Sequence, residues 1–270
     1  MNLFSVVIPL YNKEQSIANT IQSVLNQSFQ EFEVVIINDG STDNSVQVVQ
    51  GINDQRIRLI HQENQGVSAA RNKGIEEAKN EWIAFLDGDD LWEVNHLEEI
   101  VKMMKAYPQE KVYVTSFKYS DNREFYRHTR KKPIFKIKDY FKDVVKENLI
   151  WTSIVVIHRD CFINVGMFNT KYIRGEDIDL WIRLAKNYNI IKTNKITAIY
   201  RVEAENRSNS TSVPIKKTYL CDISLKKATN NEELNFYKHY IITQVKYYLV
   251  NKEWKSLLFL IWKHNFKLLN

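Results

Sequence analysis

The sequence predicts an α/β fold in which a mostly parallel central sheet is flanked by helices. Short runs rich in valine and isoleucine alternate with segments of helical spacing through the first half of the chain. Such an alternation is typical of βαβ units with right-handed crossovers, which build parallel sheets. The predicted strands of this half are residues 5–9, 33–38, 57–61 and 82–86.

Helices are predicted between these strands because apolar residues recur there at helical spacing. The first helix shows the pattern most clearly, with Ile17, Ile21 and Val24 on one face. A second helix is predicted to begin at residues 45–49, and a third covers about residues 67–79. Each helix therefore connects two neighbouring strands of the sheet.

The second half of the chain has a less regular pattern, and it becomes helical from about residue 214. We expect one α/β domain over residues 1–213 and a helical region over residues 214–270. In the second half of the first domain, the predicted strands are 111–115, 153–157, 190–194 and 197–202, and the predicted helix is 176–188. A helix over residues 91–107 separates the two halves.

The composition limits the classes of partner and compartment. The 270 residues include 38 lysines and arginines and 32 aspartates and glutamates, and the net charge of +6 attracts phosphate-rich ligands. Two cysteines, Cys161 and Cys221, give no disulfide framework, which fits a reducing compartment. No basic leader precedes the first strand, and no apolar run reaches about 18 residues. We therefore expect a cytoplasmic protein without a membrane span.

Polar side chains follow three of the predicted strands, at the edge where parallel strands end. Asn12 follows the first strand, Asp39 the second, and Asp87 and Asp89 the fourth. Ligands of parallel sheets lie beyond this edge, and carboxylates are ligands that Mg²⁺ and Mn²⁺ prefer. The sequence thus favours a divalent metal beside a phosphate-bearing ligand. The alternative is a polar turn in which Asp90 caps the helix over residues 91–107.

Two familiar phosphate-binding loops are excluded by the segment after the first strand. Residues 9–14 read Pro-Leu-Tyr-Asn-Lys-Glu and contain no glycine. A dinucleotide-binding fold requires the G-x-G-x-x-G pattern here, and a Walker loop also requires glycines. The ligand at this edge must therefore be held in another way.

Five segments in this order resemble the family 2 glycosyltransferases, which have the Rossmann-like GT-A fold. The segments are residues 6–12, 35–43, 64–74, 85–90 and 175–181, which include the triplet Asp87-Gly88-Asp89. The resemblance implies an inverting enzyme that transfers a hexose or N-acetylhexosamine from a nucleotide-diphosphate sugar, most simply a UDP-sugar. It also implies a Mn²⁺ or Mg²⁺ cofactor, a nucleotide-binding half over residues 1–107 and an acceptor-binding half over residues 108–213.

The resemblance assigns donor-binding roles to residues of the first half. Asp39 would contact the nucleotide base, and Asp87 would bind ribose hydroxyls or reach the metal through water. Asp89 would be a direct metal ligand. The remaining donor-binding residues that the resemblance implies are Pro9, Tyr11, Asn12, Ser68 and Arg71. Tyr11 as ordinary packing and Arg71 as a solvated surface residue are the alternatives.

Asp177 corresponds to the catalytic aspartate of the family, and it would remove the proton of the acceptor hydroxyl. Glu176 and Asp179 are rival carboxylates at the same helix start. All three could alternatively be placed there because acidic groups favour the positive end of a helix. The segment after this helix lacks the histidine that many relatives use as a metal ligand, and Glu203, Glu205 or water could take its place.

The C-terminal region combines lysines with aromatic residues. This composition suits the surface of an anionic membrane, and packing on the catalytic domain or on a second subunit is the alternative. The basic stretch over residues 118–146 is either a solvated face or an acceptor-side loop. We expect a saccharide acceptor, which can be lipid-linked in bacterial surface polysaccharide synthesis, and no nucleic acid partner. A sugar-nucleotide nucleotidyltransferase and a non-catalytic nucleotide-sugar binding module are the alternative functions.

Overall fold

A computed structural model describes residues 3–121, 123, 132–206 and 213–264. The described residues form one nine-stranded sheet with helices packed against it. The strands are Phe4–Leu10 (β1), Phe32–Asp39 (β2), Ile57–Gln62 (β3), Trp82–Phe85 (β4), Leu91–Trp92 (β5), Val112–Tyr119 (β6), Ile134–Lys136 (β7), Val155–His158 (β8) and Ile190–Tyr200 (β9). The α-helices are Ile17–Leu25 (α1), Ser45–Gln50 (α2), Val67–Glu77 (α3), His96–Ala106 (α4), Tyr140–Val144 (α5), Arg159–Val165 (α6), Glu176–Asn187 (α7), Asn231–Val250 (α8) and Trp254–His264 (α9).

The first half of the sheet is parallel, as the sequence predicts. Its strands lie in the order β3-β2-β1-β4, and each neighbouring pair is parallel. Val6 of β1 lies between Val34 of β2 and Ala84 of β4, and all three side chains are fully buried. Burial on both faces explains why these strands read as continuous apolar runs.

The second half of the sheet contains both parallel and antiparallel pairs. The prediction of a mostly parallel sheet therefore holds only for the first half. The order continues β4-β8-β6-β9-β5, and β8 is antiparallel to both of its neighbours. β9 is parallel to β6 but antiparallel to β5 and β7. It is one continuous strand over Ile190–Tyr200, where two separate strands were predicted. Irregular pairing with β6 between Val114 and Phe117 accompanies this long strand.

The prediction of a helix over 91–107 that Asp90 caps is wrong. Leu91 and Trp92 instead form β5 and pair with β9, and α4 begins only at His96 with Asn95 as its N-cap residue. Asp90 is buried, and its carboxylate accepts hydrogen bonds from the Ser153 hydroxyl (2.7 Å) and from a backbone amide of the segment after β9. These long-range contacts use the polar atoms that a capping residue would offer to the helix.

The described part of the chain after residue 213 is helical, in agreement with the sequence. Short 3-10 turns lead into α8 and α9, which pack against each other. Within the described ranges, none of the helices has the length and hydropathy needed to cross a membrane. Three short elements, β7, α5 and α6, were not predicted. The division into domains at residue 213 stays a prediction.

Candidate active site

The loop after β4 carries the aspartates and is tightly held. A Cβ atom on Gly88 would lie 3.0 Å from the carbonyl oxygen of Pro9, so only glycine lets these two backbones approach. The hydroxyl of Thr20 in α1 donates to the carbonyls of Gly88 (3.1 Å) and Asp90 (2.9 Å). The loop is therefore fixed against β1 and α1, which positions its carboxylates.

Asp87 and Asp89 each contact a different cationic side chain. Arg71 approaches Asp87 at 2.7 Å, and Lys13 approaches Asp89 at 2.7 Å. Asp90 lies between these groups and the core, and its pKa is raised well above the ordinary value by burial and by the charges of Asp89 and Asp87. The loop thus places three carboxyl groups close to the side chains of Arg71 and Lys13.

Arg71 connects the aspartate loop to the start of α7. One guanidinium nitrogen binds Asp87, and the other binds Glu176 at 3.0 Å. The side chain is almost completely buried and its guanidinium lies over the ring of Phe168, 5.2 Å from the centroid. Burial would lower its pKa, but the adjacent carboxylates raise the pKa above its ordinary value. A solvated surface arginine, the alternative drawn from the sequence, does not fit this burial.

The three carboxylates at the start of α7 have different surroundings. Asp179 forms an ion pair with Arg183 one turn later (2.7 Å), whereas Glu176 binds Arg71. Burial raises the pKa of Glu176 to about 7, and it also raises the pKa of Asp177. One carboxylate oxygen of Asp177 accepts the Ile178 amide at 2.8 Å, and no ion pair of Asp177 is found among the described residues. Asp177 is thus the carboxylate of the three that lacks a cationic partner there.

Asp39 holds the loop that leads into α3. One carboxylate oxygen accepts from the Gln62 amide (2.7 Å) and the Gln65 backbone (2.9 Å), and the other accepts from the Gly66 backbone (2.8 Å). Gly66 has a φ of +89°, which a glycine adopts without strain. The structure therefore shows a loop-organising role for Asp39, and the predicted base contact would use its remaining acceptor capacity.

The segment after β1 is joined to the segment after β2. The side-chain oxygen of Asn12 accepts from the Thr42 backbone amide at 2.8 Å, and the backbone amide of Asn12 donates to the Ser41 hydroxyl at 3.2 Å. Asn12 has a φ of +51°, which asparagine tolerates better than most residues. Tyr11 is 40% exposed beside it, which leaves its ring available to a ligand. Ser68, in contrast, is buried and contacts the Tyr172 carbonyl at 3.5 Å.

The segment after β9 closes over the same edge of the sheet. The carboxylate of Glu205 accepts from the backbone amides of Gln15 (3.1 Å) and Ser16 (3.0 Å), at the start of α1. Glu203 instead binds Ser120 and Arg201. These bonds occupy the two glutamates that could replace the missing histidine. Residues 207–212 and part of the basic stretch, namely residues 122 and 124–131, lie outside the described residues.

Two contributors to this region were not predicted from the sequence. Lys13 binds Asp89 and also donates to the backbone carbonyls of Glu205 and Asn206, so it links three loops. Tyr240 of α8 reaches the start of α7, where its hydroxyl lies 3.4 Å from the position of a Cβ atom on Gly175. No local sequence pattern indicates these contacts. The partners of Lys13, for example, lie 76 to 193 residues after it in the chain.

The aspartate loop offers a donor set that suits a hard divalent cation. Asp87 and Asp89 provide carboxylate oxygens near the carboxylates of α7, whereas burial and then the charges of Asp89 and Asp87 raise the pKa of Asp90. Among the described residues, no group of three histidine, cysteine or acidic side chains converges on one point. The residues fit a metal held by one or two carboxylates together with ligand phosphates, which is a common arrangement for Mg²⁺.

The model of glycosyl transferase family 2 matches residues 5–166 of the chain, which is more than half of its length. The chain belongs to this family. The glucosyltransferase WfaP of Escherichia coli is 30% identical over 214 residues, which cover 76% of this chain and 79% of WfaP. WfaP is named as a UDP-Glc:α-D-GlcNAc-diphosphoundecaprenol β-1,3-glucosyltransferase. Four other curated relatives are matched over only 26% to 41% of their own length.

Solved structures confirm the GT-A fold of this chain. The structure of Staphylococcus aureus TarS residues 1–349 with UDP-GlcNAc superposes with a TM-score of 0.74 over 91% of this chain and 72% of that chain, at 19% identity. The mannosyltransferase PcManGT of Pyrobaculum calidifontis, with GDP-Man and Mn²⁺, superposes with a TM-score of 0.57 over 75% of this chain and 58% of that chain, at 20% identity. At these identities the likeness shows the fold alone.

Proposed function

We propose that this glycosyltransferase moves a hexose or N-acetylhexosamine from a UDP-sugar to a saccharide acceptor with inversion at the anomeric carbon. The acceptor belongs to bacterial surface polysaccharide synthesis and is lipid-linked in this proposal. The names of WfaP, a glucosyltransferase acting on a diphosphoundecaprenol-linked sugar, and of TarS, solved with UDP-GlcNAc, support this choice. Membership of the family supports sugar transfer over nucleotidyl transfer or passive binding.

The contacts of Arg71 carry the proposal. This buried side chain ties Asp87, on the donor side, to Glu176 at the start of α7. It therefore brings the next residue, Asp177, close to the aspartate loop, and no ion pair of Asp177 is found within the described part of the chain. A donor-binding loop and a carboxylate would thus meet at one edge of the sheet, as a displacement reaction requires.

The donor would lie along the carboxyl ends of β1, β2 and β4. In this proposal Tyr11 stacks on the base, Asp39 and Asn12 shape the base-binding loop, and Arg71 supplies positive charge. Asp89 and Asp87 would hold Mn²⁺ or Mg²⁺, which would offset the charge that develops on the departing nucleotide. The Mn²⁺ in PcManGT, a protein of the same fold, supports a divalent ion. The further donor contacts of the proposal are Pro9 and Ser68.

Asp177 acts as the general base in this proposal. The acceptor hydroxyl oxygen forms a bond to the anomeric carbon while the bond from that carbon to the diphosphate oxygen breaks on the opposite face. The hydroxyl proton goes to the Asp177 oxygen that does not accept the Ile178 amide. Burial raises the pKa of Asp177 above the ordinary value of an aspartate, so the carboxylate is a stronger base than a solvated one.

Aromatic residues that lie near the start of α7 in space would form the acceptor side of the site. Tyr140 of α5 and Tyr240 of α8 are both close enough to Asp177 for its charge to raise their pKa values, although burial is the larger cause. Tyr240 stacks on Phe236 of the same helix, with 6.2 Å between ring centroids, which holds its ring in place. Aromatic rings with polar tips are suited to line a sugar site.

A donor screen with the Asp177→Asn variant tests the proposal. Purified wild type should release UDP from one UDP-sugar in the presence of Mn²⁺ and an acceptor saccharide. Asp177→Asn should retain donor binding and lose about 10²- to 10⁴-fold in transfer, because it lacks the base. Asp179→Asn is the matched control and should keep most of the activity, since Asp179 pairs with Arg183. Transfer by Asp177→Asn at the wild-type rate would reject the base assignment.

A further inference from the structure

The last helix of the described chain is apolar on two opposite faces. Its buried face packs toward α8 through Leu257 and Leu260. On the other side, Trp254, Leu258 and Trp262 are 55%, 65% and 75% exposed. Residues four apart lie on the same face of a helix, so these three side chains form one continuous stripe. A helix that packs only on its own domain needs apolar residues on just one of its faces.

The end of α8, which is separated from α9 by three residues in the chain, also exposes apolar side chains. Tyr247, Leu249 and Val250 are also exposed, and the six side chains together are called the C-terminal apolar face. Among the described residues, this face holds six of the ten exposed large apolar side chains. Single exposed apolar residues are ordinary, but a contiguous set marks a surface that contacts another apolar phase.

Exposed lysines are close in the chain to the C-terminal apolar face. Lys246 directly precedes Tyr247, Lys252 and Lys255 lie between members of the face, and all three lysines are exposed, whereas the nearby Glu253 is half-buried. Tryptophan, tyrosine and lysine on one helical surface are typical of the boundary of an anionic bilayer, because the rings reach the acyl region and the ammonium groups stay near lipid phosphates. Charge complementarity therefore favours an anionic bilayer over a protein with an apolar groove alone.

The two helices are fixed to the body of the enzyme on its acceptor side. Lys263 of α9 donates to the backbone carbonyls of Leu220 and Cys221, and α8 packs against α5. Tyr240, near the start of α7, precedes Val250 by ten residues, which is about 15 Å along a helix. The end of α8 that belongs to the C-terminal apolar face thus lies about 15 Å along the helix from Tyr240, which contacts the turn before the proposed base.

We propose that the C-terminal apolar face docks this glycosyltransferase on an anionic phospholipid bilayer, with the start of α7 directed toward lipid-linked acceptors. The part of this proposal that concerns the acceptor rests on the proposed function. Docking itself does not, because it depends only on α8 and α9. A measurement of vesicle binding without donor or acceptor therefore separates the two proposals.

Sedimentation with vesicles tests the docking. Wild type should bind vesicles of phosphatidylglycerol and phosphatidylcholine, bind pure phosphatidylcholine weakly, and dissociate at high salt. The double variant Leu258→Glu/Trp262→Glu should lose about tenfold or more in vesicle affinity, because two carboxylates enter the apolar stripe. Ile163→Glu is the matched control: Ile163 is 77% exposed on α6, outside the face, and its variant should bind as wild type does.

Three results would overturn the docking proposal. They are no wild-type binding to anionic vesicles, equal binding by a double variant whose thermal unfolding matches wild type, and a wild-type dimer that the double variant dissociates. In the last case the face would be an interface between copies of this chain. A double variant that keeps transfer to a water-soluble acceptor but loses transfer to a vesicle-bound one supports docking. Vesicle binding without any transfer activity would reject the proposed function and leave docking in place.

Discussion

Arg71 is the residue on which the geometry of the proposed site depends most. It is buried between Asp87 and Glu176, so it neutralises carboxyl groups that come from two distant parts of the chain. A buried ion pair contributes little compared with an apolar replacement, but the loss of one partner leaves uncompensated charge. Arg71 therefore connects the stability of the fold to the alignment of donor loop and base.

Replacement of Arg71 should destabilise the folded protein strongly. We expect Arg71→Ala to lower the free energy of unfolding by about 3–5 kcal/mol, because Asp87 and Glu176 lose their shared cation in a buried setting. Urea unfolding followed by circular dichroism measures this change. Arg71→Ala/Glu176→Gln should recover part of the loss, since it removes one of the two stranded charges. A double variant that is less stable than Arg71→Ala would contradict this electrostatic account.

Tyr240 tests whether α8 contributes to the acceptor site. Its hydroxyl reaches the Gly175 turn that precedes Asp177, while its ring packs on Phe236. Tyr240→Phe keeps the ring and removes the hydroxyl, so we expect a higher KM for the acceptor, an unchanged KM for the donor and unchanged thermal stability. Steady-state kinetics with each substrate varied in turn measures both constants. An unchanged acceptor KM would limit Tyr240 to a packing role.

Among the secondary-structure elements, the short strand β5 and the helix α4 support the aspartate loop by packing beneath it. Trp92 of β5 donates its indole N–H to the Ser153 carbonyl at 2.7 Å and stacks on His96 of α4, with 4.1 Å between ring centroids. His96 is fully buried, and its other contact is Thr197 at 2.8 Å. The imidazole therefore lies under the loop as a neutral packing group.

Burial of His96 should make the fold sensitive to acid. Desolvation lowers the pKa of His96 from 6.5 to about 3, so between these values the unfolded chain binds a proton that the folded chain does not. The contribution of neutral, buried His96 to the free energy of unfolding is therefore fully present above pH 6.5, and it is lost as the pH falls toward about 3. We expect His96 to account for about 2 kcal/mol of lost stability between pH 7 and pH 5.

Urea unfolding of two histidine variants at both pH values isolates this effect. His96→Gln should show a smaller loss of stability on acidification than wild type, because no imidazole is there to be protonated. His239 is exposed on α8, and His239→Gln should lose as much stability as wild type does. Equal acid sensitivity in all three proteins would show that His96 is not responsible.

The sequence predicts some elements well and others poorly, for physical reasons. β1 and β2 are recognisable because strands buried on both faces must be apolar throughout. Helix α4 begins later than predicted because Leu91 and Trp92 form ladder bonds with β9, a partner about 107 residues away that no local pattern shows. Elements as short as β7 and α5 contain too few residues for periodicity to distinguish them from a loop.

At the scale of the whole molecule, the order of short motifs along the chain predicted which strand ends meet. The structure brings Asn12, the loop after Asp39, and Asp87 and Asp89 to one edge, as expected from a parallel sheet. The contacts of Lys13 with Asp89, and of Glu205 with α1, could not be predicted, because they join loops that are close only after folding. Roles of individual residues in binding and catalysis stay predictions.

Calorimetric titration with UDP, with and without Mn²⁺, tests whether the aspartate loop holds a nucleotide diphosphate together with a divalent cation. Wild type should bind UDP tightly only with Mn²⁺, and Asp89→Ala should lose this metal-dependent binding. Asp54→Ala is the control: Asp54 pairs with Arg56 outside the site, and its variant should bind as wild type does. UDP binding that is indifferent to Mn²⁺, or unchanged in Asp89→Ala, would contradict the account.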